Sequence, residues 1–151
     1  MISKKTKYGL NALILLAKEF HRGPVLISEL SRKEKISQKF LEHILLNLKN
    51  HGLLKSVRGK GGGYLLAKDP KEIFLGQAMR ILEGPLAPVP CVSQTAYRSC
   101  DDCLEERCCG LRLVMKDVRD AMANILDNTS LADILERISC ESKNQGEMYV
   151  I

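Results

Sequence analysis

Between Leu53 and Ala67 the chain reads LLKSVRGKGGGYLLA, two short apolar runs around a tip of Arg58, Gly59, Lys60, Gly61, Gly62 and Gly63. No helix runs through four glycines in the five positions 59–63, whereas a tip free to take positive φ is what a tight hairpin needs. The stretch therefore predicts two paired strands with Arg58 and Lys60 at their turn. Bare glycine backbone also lets a partner surface come close.

What precedes the hairpin is helical. Leu10, Leu13, Ile14, Ala17 and Phe20 recur at helical spacing over Lys7–Phe20, and Gly23-Pro24 ends that segment. Ser28 is placed to cap a short second helix, and Ser37 to cap a third, QKFLEHILLNLKNHG, which Gly52 stops. On the third helix Phe40, Leu41, Ile44, Leu45 and Leu48 form the expected buried stripe, leaving Gln38, Lys39, Glu42, His43 and Asn47 outside it. Two helices a few residues apart around Lys35-Ile36 have the form of a helix-turn-helix, and the hairpin behind them is its wing.

Downstream, LGQAMRILEG reads as a short helix, and the proline-spaced PLAPVP opens a polar loop. Leu111, Val114, Met115, Val118, Met122, Ile125 and Leu126 then step by threes and fours along a helix of about five turns, with Arg112, Lys116, Asp117, Arg119 and Asp120 on its polar face. A head of some 80 residues leaves little of its own to cover that stripe. Leu111, Val114, Met115, Val118, Met122 and Ile125 are therefore expected at an interface with a second copy. A last short helix, SLADILERI, and a polar tail complete the chain. The expected fold is mainly α with a small β-hairpin wing. Residues 1–84 form a winged helix-turn-helix head, 85–110 a cysteine-rich loop, 111–139 the long C-terminal dimerisation helix with the terminal helix, and 140–151 a flexible tail.

Charge separates these parts. Residues 1–66 hold 13 Lys or Arg against 4 Asp or Glu, net +9, while residues 67–151 hold 10 against 14, net −4. A basic head of this kind suits a polyanion, and its geometry points to double-stranded DNA. A third helix lying in a major groove would present Ser37, Gln38, Lys39 and Glu42 to base edges, where Gln pairs with adenine, Lys with guanine and Glu with cytosine. Arg58 and Lys60, with Gly61 and Gly62 between them and the strand, would reach phosphates or a narrow minor groove, and Ser28 would sit at the start of the supporting helix. Two copies imply a pseudo-palindromic operator.

Residues 91–109, CVSQTAYRSCDDCLEERCC, hold five of the six cysteines. The N-terminus has no signal-peptide pattern and no apolar run approaches the roughly 20 residues of a membrane span, so a cytoplasmic protein without membrane contact is expected. Cytosolic thiols stay reduced, which favours metal binding or redox chemistry over stapling. Cys91 and Cys103 are separated by eleven residues, Cys103 and Cys109 by five, with Cys100 and Cys108 as extras. Only Cys100-Asp101-Asp102-Cys103 has the CxxC form of a zinc ribbon, and the wider gaps better fit an iron-sulfur cluster. One of the adjacent pair Cys108-Cys109 is spare, and Cys140 is read as incidental.

ISQKFLEHILLNLKNHGLLKSVRGKGGGYLLAKDP, with KTKYGLNAL before it and the cysteine loop, GLRLVMKDVRDAM and TSLADIL after it, closely resembles the Rrf-two family of winged-helix regulators, the group typified by IscR and NsrR. The likeness covers residues 1 to about 139, and VRGKGGGYLL is its most specific piece. The resemblance implies a homodimeric, sequence-specific transcription factor, not an enzyme, whose loop holds a [2Fe-2S] or [4Fe-4S] cluster that changes DNA affinity. It maps three cluster cysteines onto Cys91, Cys103 and Cys109. Where the IscR type carries a histidine ligand this chain has Arg112, which does not ligate iron. Cys100 is the first choice for a fourth ligand, Cys108 the second, and a residue of the partner subunit a third. A thiol-disulfide or zinc switch on the same fold is the alternative reading, and an iron-sulfur electron carrier a remote one. GKGGGY lacks the spacing and the Lys-Ser/Thr ending of a phosphate-binding loop.

Overall fold

The computed structural model describes residues 2–147. Helices α1 (Lys4–Lys18), α2 (Ile27–Glu34) and α3 (Gln38–Asn50) build the front of the head. α1 starts earlier than the apolar pattern suggests because Ser3 caps it, its side chain accepting from the Thr6 N–H. Ser3 and Thr6 also donate to the Glu83 carboxylate at the far end of the head. The Thr6 hydroxyl, followed by the Ser3 N–H and hydroxyl, holds that carboxyl below the usual range.

Ser37 caps α3 as expected, its Oγ accepting from the Phe40 N–H at 3.3 Å. Ser28 does not cap α2. That helix opens at Ile27 with Leu26 in the capping position and no side-chain bond. Its start is set from a distance instead, since Val25 and Tyr64 exchange backbone hydrogen bonds of 2.8 and 2.9 Å just before it. At the turn between α2 and α3, Lys35 takes φ 55°, and Ser31 Oγ donates to the Ile36 carbonyl at 2.5 Å.

Leu41, Ile44, Leu45 and Leu48 of α3 lie with Leu13, Leu16, Leu30 and Leu53 in one buried core, each worth about 1.5–3 kcal/mol over an exposed site. Phe40 departs from the expected stripe. It is 41% exposed and meets Tyr8 of α1 edge-on at 6.3 Å, because one residue is about 100° of helix and carries it off the core face onto the flank.

β1 (Leu54–Val57) and β2 (Gly63–Leu66) pair antiparallel with Leu54 opposite Leu66 and Val57 opposite Gly63. A 3₁₀ turn at Pro70–Glu72 leads into α4 (Leu75–Leu82). The loop that follows carries two further 3₁₀ turns, Pro90–Val92 and Glu106–Cys108, before α5 (Gly110–Asp127) and α6 (Leu131–Glu147). α6 returns to the head. Leu75 N–H donates to Thr129 O and Leu131 N–H to Ile73 O, both at 2.9 Å, and Leu131 is fully buried in the core. Ser130 and Asp133 cap it reciprocally, Ser130 N–H to Asp133 Oδ2 at 2.8 Å and Asp133 N–H to Ser130 Oγ at 3.1 Å.

Where the sequence suggested a flexible tail from residue 140, α6 continues past Cys140 to Glu147. No glycine or proline interrupts it before Gly146. The rest of that tail, 148–151, lies outside the described residues. Among the described residues no helix is long and apolar enough to cross a membrane.

Candidate nucleic-acid interface and cysteine pocket

The outer side of α3 is polar and open. Ser37, Gln38, Lys39, Glu42 and His43 are all exposed, and the four-residue step from Lys39 sets His43 directly beneath it. His43, outside the core stripe, thus shares the exposed face of the candidate base readers. Glu42 lies toward the wing, where burial first and then the Glu42 charge push the Tyr64 phenol up. Asn47 is turned inward instead, its Nδ2 donating to the Ile81 carbonyl of α4 at 3.2 Å.

Arg58, Lys60 and Gly61 are exposed at the wing tip. Gly59 and Gly61 take φ of +91° and +77°, conformations that suit glycine. Gly62 is buried, and its N–H is spent on the Gly59 carbonyl at 3.0 Å. It shapes the tip and has no free N–H to offer a phosphate. Ser28 is exposed in the first turn of α2. The polar side of α3, flanked by two cations on a hairpin, has the form that enters a major groove while the wing follows the backbone.

The loop builds a second site. Cys91, Cys100, Cys103 and Cys109 all line one cavity of about 470 Å³, together with Arg98 and Arg112. Cys108, next in sequence to Cys109, is exposed and does not line it, and Cys140 lies on α6 away from it. Cys100 and Cys103 close a turn through a Cys103 N–H bond to Cys100 O at 3.4 Å. Burial is the first cause pushing the Cys103 thiol up, followed by its hydrogen bond with Cys109 and the nearby Cys109 and Cys100 charges. A raised thiol is a weaker nucleophile at neutral pH, and a bound metal cation would displace its proton.

Cysteine sulfurs suit an iron-sulfur cluster, and four cysteines line this one cavity. Among the described residues, however, no three His, Cys, Asp or Glu groups gather tightly enough to hold a metal ion. Holding one would require the loop to draw inward. Arg112, which stands where the family resemblance places a histidine ligand, is already engaged: its Nε lies 3.0 Å from Glu106 Oε1 and 3.4 Å from the Cys91 carbonyl. Tyr97 completes this corner by donating to Glu106 Oε2 at 2.7 Å.

Arg112 and Arg119, on the polar face of α5, both reach back to the loop. Arg119 donates to the Val92 carbonyl at 2.6 Å, and its side chain is only 13% exposed. The reason is the register of the helix. The loop offers bare carbonyls at 91 and 92, which guanidinium groups satisfy and a methyl group cannot. The apolar stripe consequently faces outward. Leu111 and Ile125 are 62% and 61% exposed, Val114, Val118 and Met122 are exposed between them, and Met115 is half-buried at the edge.

A helix-turn-helix with a basic wing, joined to a separate ligand-type pocket, defines the class of DNA-binding transcriptional regulators. The chain belongs to the Rrf2 family, whose profile, described as an iron-dependent transcriptional regulator, matches residues 2–137. A Rhodobacter capsulatus protein named as an rrf2-like HTH-type transcriptional regulator is 40% identical over 138 residues, 89% of this chain and 92% of that one. The solved structure of CymR, described as the global cysteine regulator of B. subtilis, superposes with a TM-score of 0.76 at 36% identity, covering 91% of this chain and 97% of that one. T. potens IscR gives 0.71 at 31% identity over 91% and 88%. Its relatives are regulators of transcription and not enzymes.

Proposed function

We propose that this regulator acts as a homodimer on a pseudo-palindromic operator and that its DNA affinity is set by the state of the 91–109 loop, which holds an iron-sulfur cluster on Cys91, Cys103 and Cys109 with Cys100 as fourth ligand. The observation that carries the reading is the single cavity onto which these four cysteines open, with Cys108 left outside. When bound, the cluster supplies charge and a rigid crosslink between loop segments. The chain's own residues do the rest. Lys39, His43, Gln38 and Glu42 read bases, and Ser37 holds the first turn of α3 in helical form for them. Arg58 and Lys60 fix the register on the backbone, while Ser28 and Gly61 border the same surface. The exposed stripe from Leu111 to Ile125 packs against its copy, spacing two α3 helices for two half-sites. Loop state acts on this spacing only through its different affinity for the two arrangements.

A second reading, a thiol-disulfide switch without iron, is favoured by the same cavity, onto which Cys103 and Cys109 both open. The likeness to a global cysteine regulator lends it weight. Protein purified without oxygen distinguishes the two. Broad visible absorbance with iron and sulfide bound, lost in Cys103→Ala, is expected. A colourless protein that forms a reversible Cys103–Cys109 bond would replace the cluster reading with the thiol one.

A further inference from the structure

A line of polar contacts leads from the cysteine loop to the recognition helix. At one end, α5 clasps the 3₁₀ turn that carries Cys91 through Arg112 on the Cys91 carbonyl (3.4 Å) and Arg119 on the Val92 carbonyl (2.6 Å). These two arginines are seven residues apart, two turns of helix, so they grip from one face. At its other end, α5 closes on α4 by a bidentate pair, Arg80 Nη1 and Nη2 to Asp127 Oδ1 and Oδ2 at 2.6 and 2.9 Å. The next residue of α4, Ile81, accepts from Asn47 of α3 at 3.2 Å, and Asn47 stands one turn beyond His43 on the helix that faces DNA.

Two further details set this line apart from ordinary surface pairing. α4 carries Gly76 where Asp127 docks, and a Cβ there would run into the Asp127 carboxylate. Arg119 is largely buried, which an exposed ion pair with Asp120 alone does not require. An α-helix is stiff over this length: from residue 112 to 127 it rises about 22 Å at about 1.5 Å per residue. A displacement of the Cys91 turn is therefore delivered to the far end of α5 with little lost in bending.

We infer that Arg112, Arg119, Asp127, Arg80 and Asn47 are positioning residues that make α5 a rigid link between the cysteine pocket and the recognition helix. The inference rests on the regulator reading above. In this arrangement a change at Cys91 moves α3 within its own subunit, in addition to any change in the spacing of two subunits. None of the five touches a base in this role.

The test is a double-mutant cycle on DNA affinity, with full-length protein, fully reduced and metal-free, and a duplex selected in vitro by the wild-type chain. Arg112→Gln loosens the pocket end and Asp127→Asn the α4 end. Groups this far apart with no shared partner ordinarily act independently, so their fold-changes in Kd multiply. A rigid link predicts otherwise: each variant changes Kd by about 3- to 10-fold, and the double variant matches the larger single change. Unaltered Kd in both single variants, or fold-changes that multiply, would overturn the link while leaving DNA recognition intact. A wild-type chain that selects no duplex would overturn the regulator reading and the link with it. Should Asp127→Asn fail to fold by circular dichroism, Arg80→Lys serves at the same joint, keeping the charge and losing the fork. It is expected to be equally non-multiplicative with Arg112→Gln, and multiplication there overturns the link as well.

Discussion

A methyl group added to Gly63 would run into the Val25 carbonyl, and the residue's φ of +150° disfavours any side chain. Val25 is the residue that pairs with Tyr64 and sets the start of α2, so the damage reaches past the wing. Gly63→Ala is expected to cost about 1–3 kcal/mol and to weaken DNA binding. Gly61→Ala, with open space around the added methyl, should cost less than Gly63→Ala. Thermal unfolding of the two variants side by side checks this, and equal melting temperatures would contradict it. Residues with local roles were legible from sequence. Ser37 caps α3 through a neighbour three residues on, and Gly59 and Gly61 sit where a hairpin needs positive φ. Ser28 was misread as a cap because its helix is started by a strand bridge from a residue nearly forty positions away, which no local pattern records.

At the scale of the element, α5 decides most. Its length and its apolar stripe follow from a 3.6-residue period, and the helix runs Gly110–Asp127 as that period implies. That the stripe is left uncovered by its own chain also followed, from the small size of the head, but the partners of Arg112 and Arg119 did not. Here two carbonyls in the loop call for donors, Arg112 and Arg119 supply them, and the apolar side is left outside. Phe40 is a smaller case of the same kind, a residue in the apolar pattern that the packing of α1 leaves on the flank. A stripe of five large apolar side chains in contact with water is costly, at about 25 cal/mol per Å² of apolar surface, and the second copy proposed above would relieve it. Val118→Glu places a charge near the middle of that stripe. It is expected to convert the dimer to a monomer in sedimentation velocity at micromolar concentration and to lower operator affinity sharply, with the head still folded. A variant that remains dimeric would move the interface elsewhere.

The whole molecule sets a basic head, net +9 over residues 1–66, against an acidic remainder of net −4, and a basic half of this kind suits a polyanion. The head's core, the wing and the outward face of α3 were legible in the sequence because each is built from contiguous residues. The pocket was only half legible. Clustering of cysteines announced a site, but the opening of Cys91, Cys100, Cys103 and Cys109 onto one cavity, and the exclusion of Cys108, depend on a turn at Pro90–Val92 held by a helix twenty residues further along. In the proposed function this pocket governs DNA affinity. The most direct measurement is the operator Kd of protein purified without oxygen, by fluorescence anisotropy at fixed salt, before and after its loop is changed by iron removal or, for colourless protein, by peroxide oxidation. A shift of about tenfold or more between the two states is expected, within the range of allosteric couplings. The same Kd in both states would contradict it.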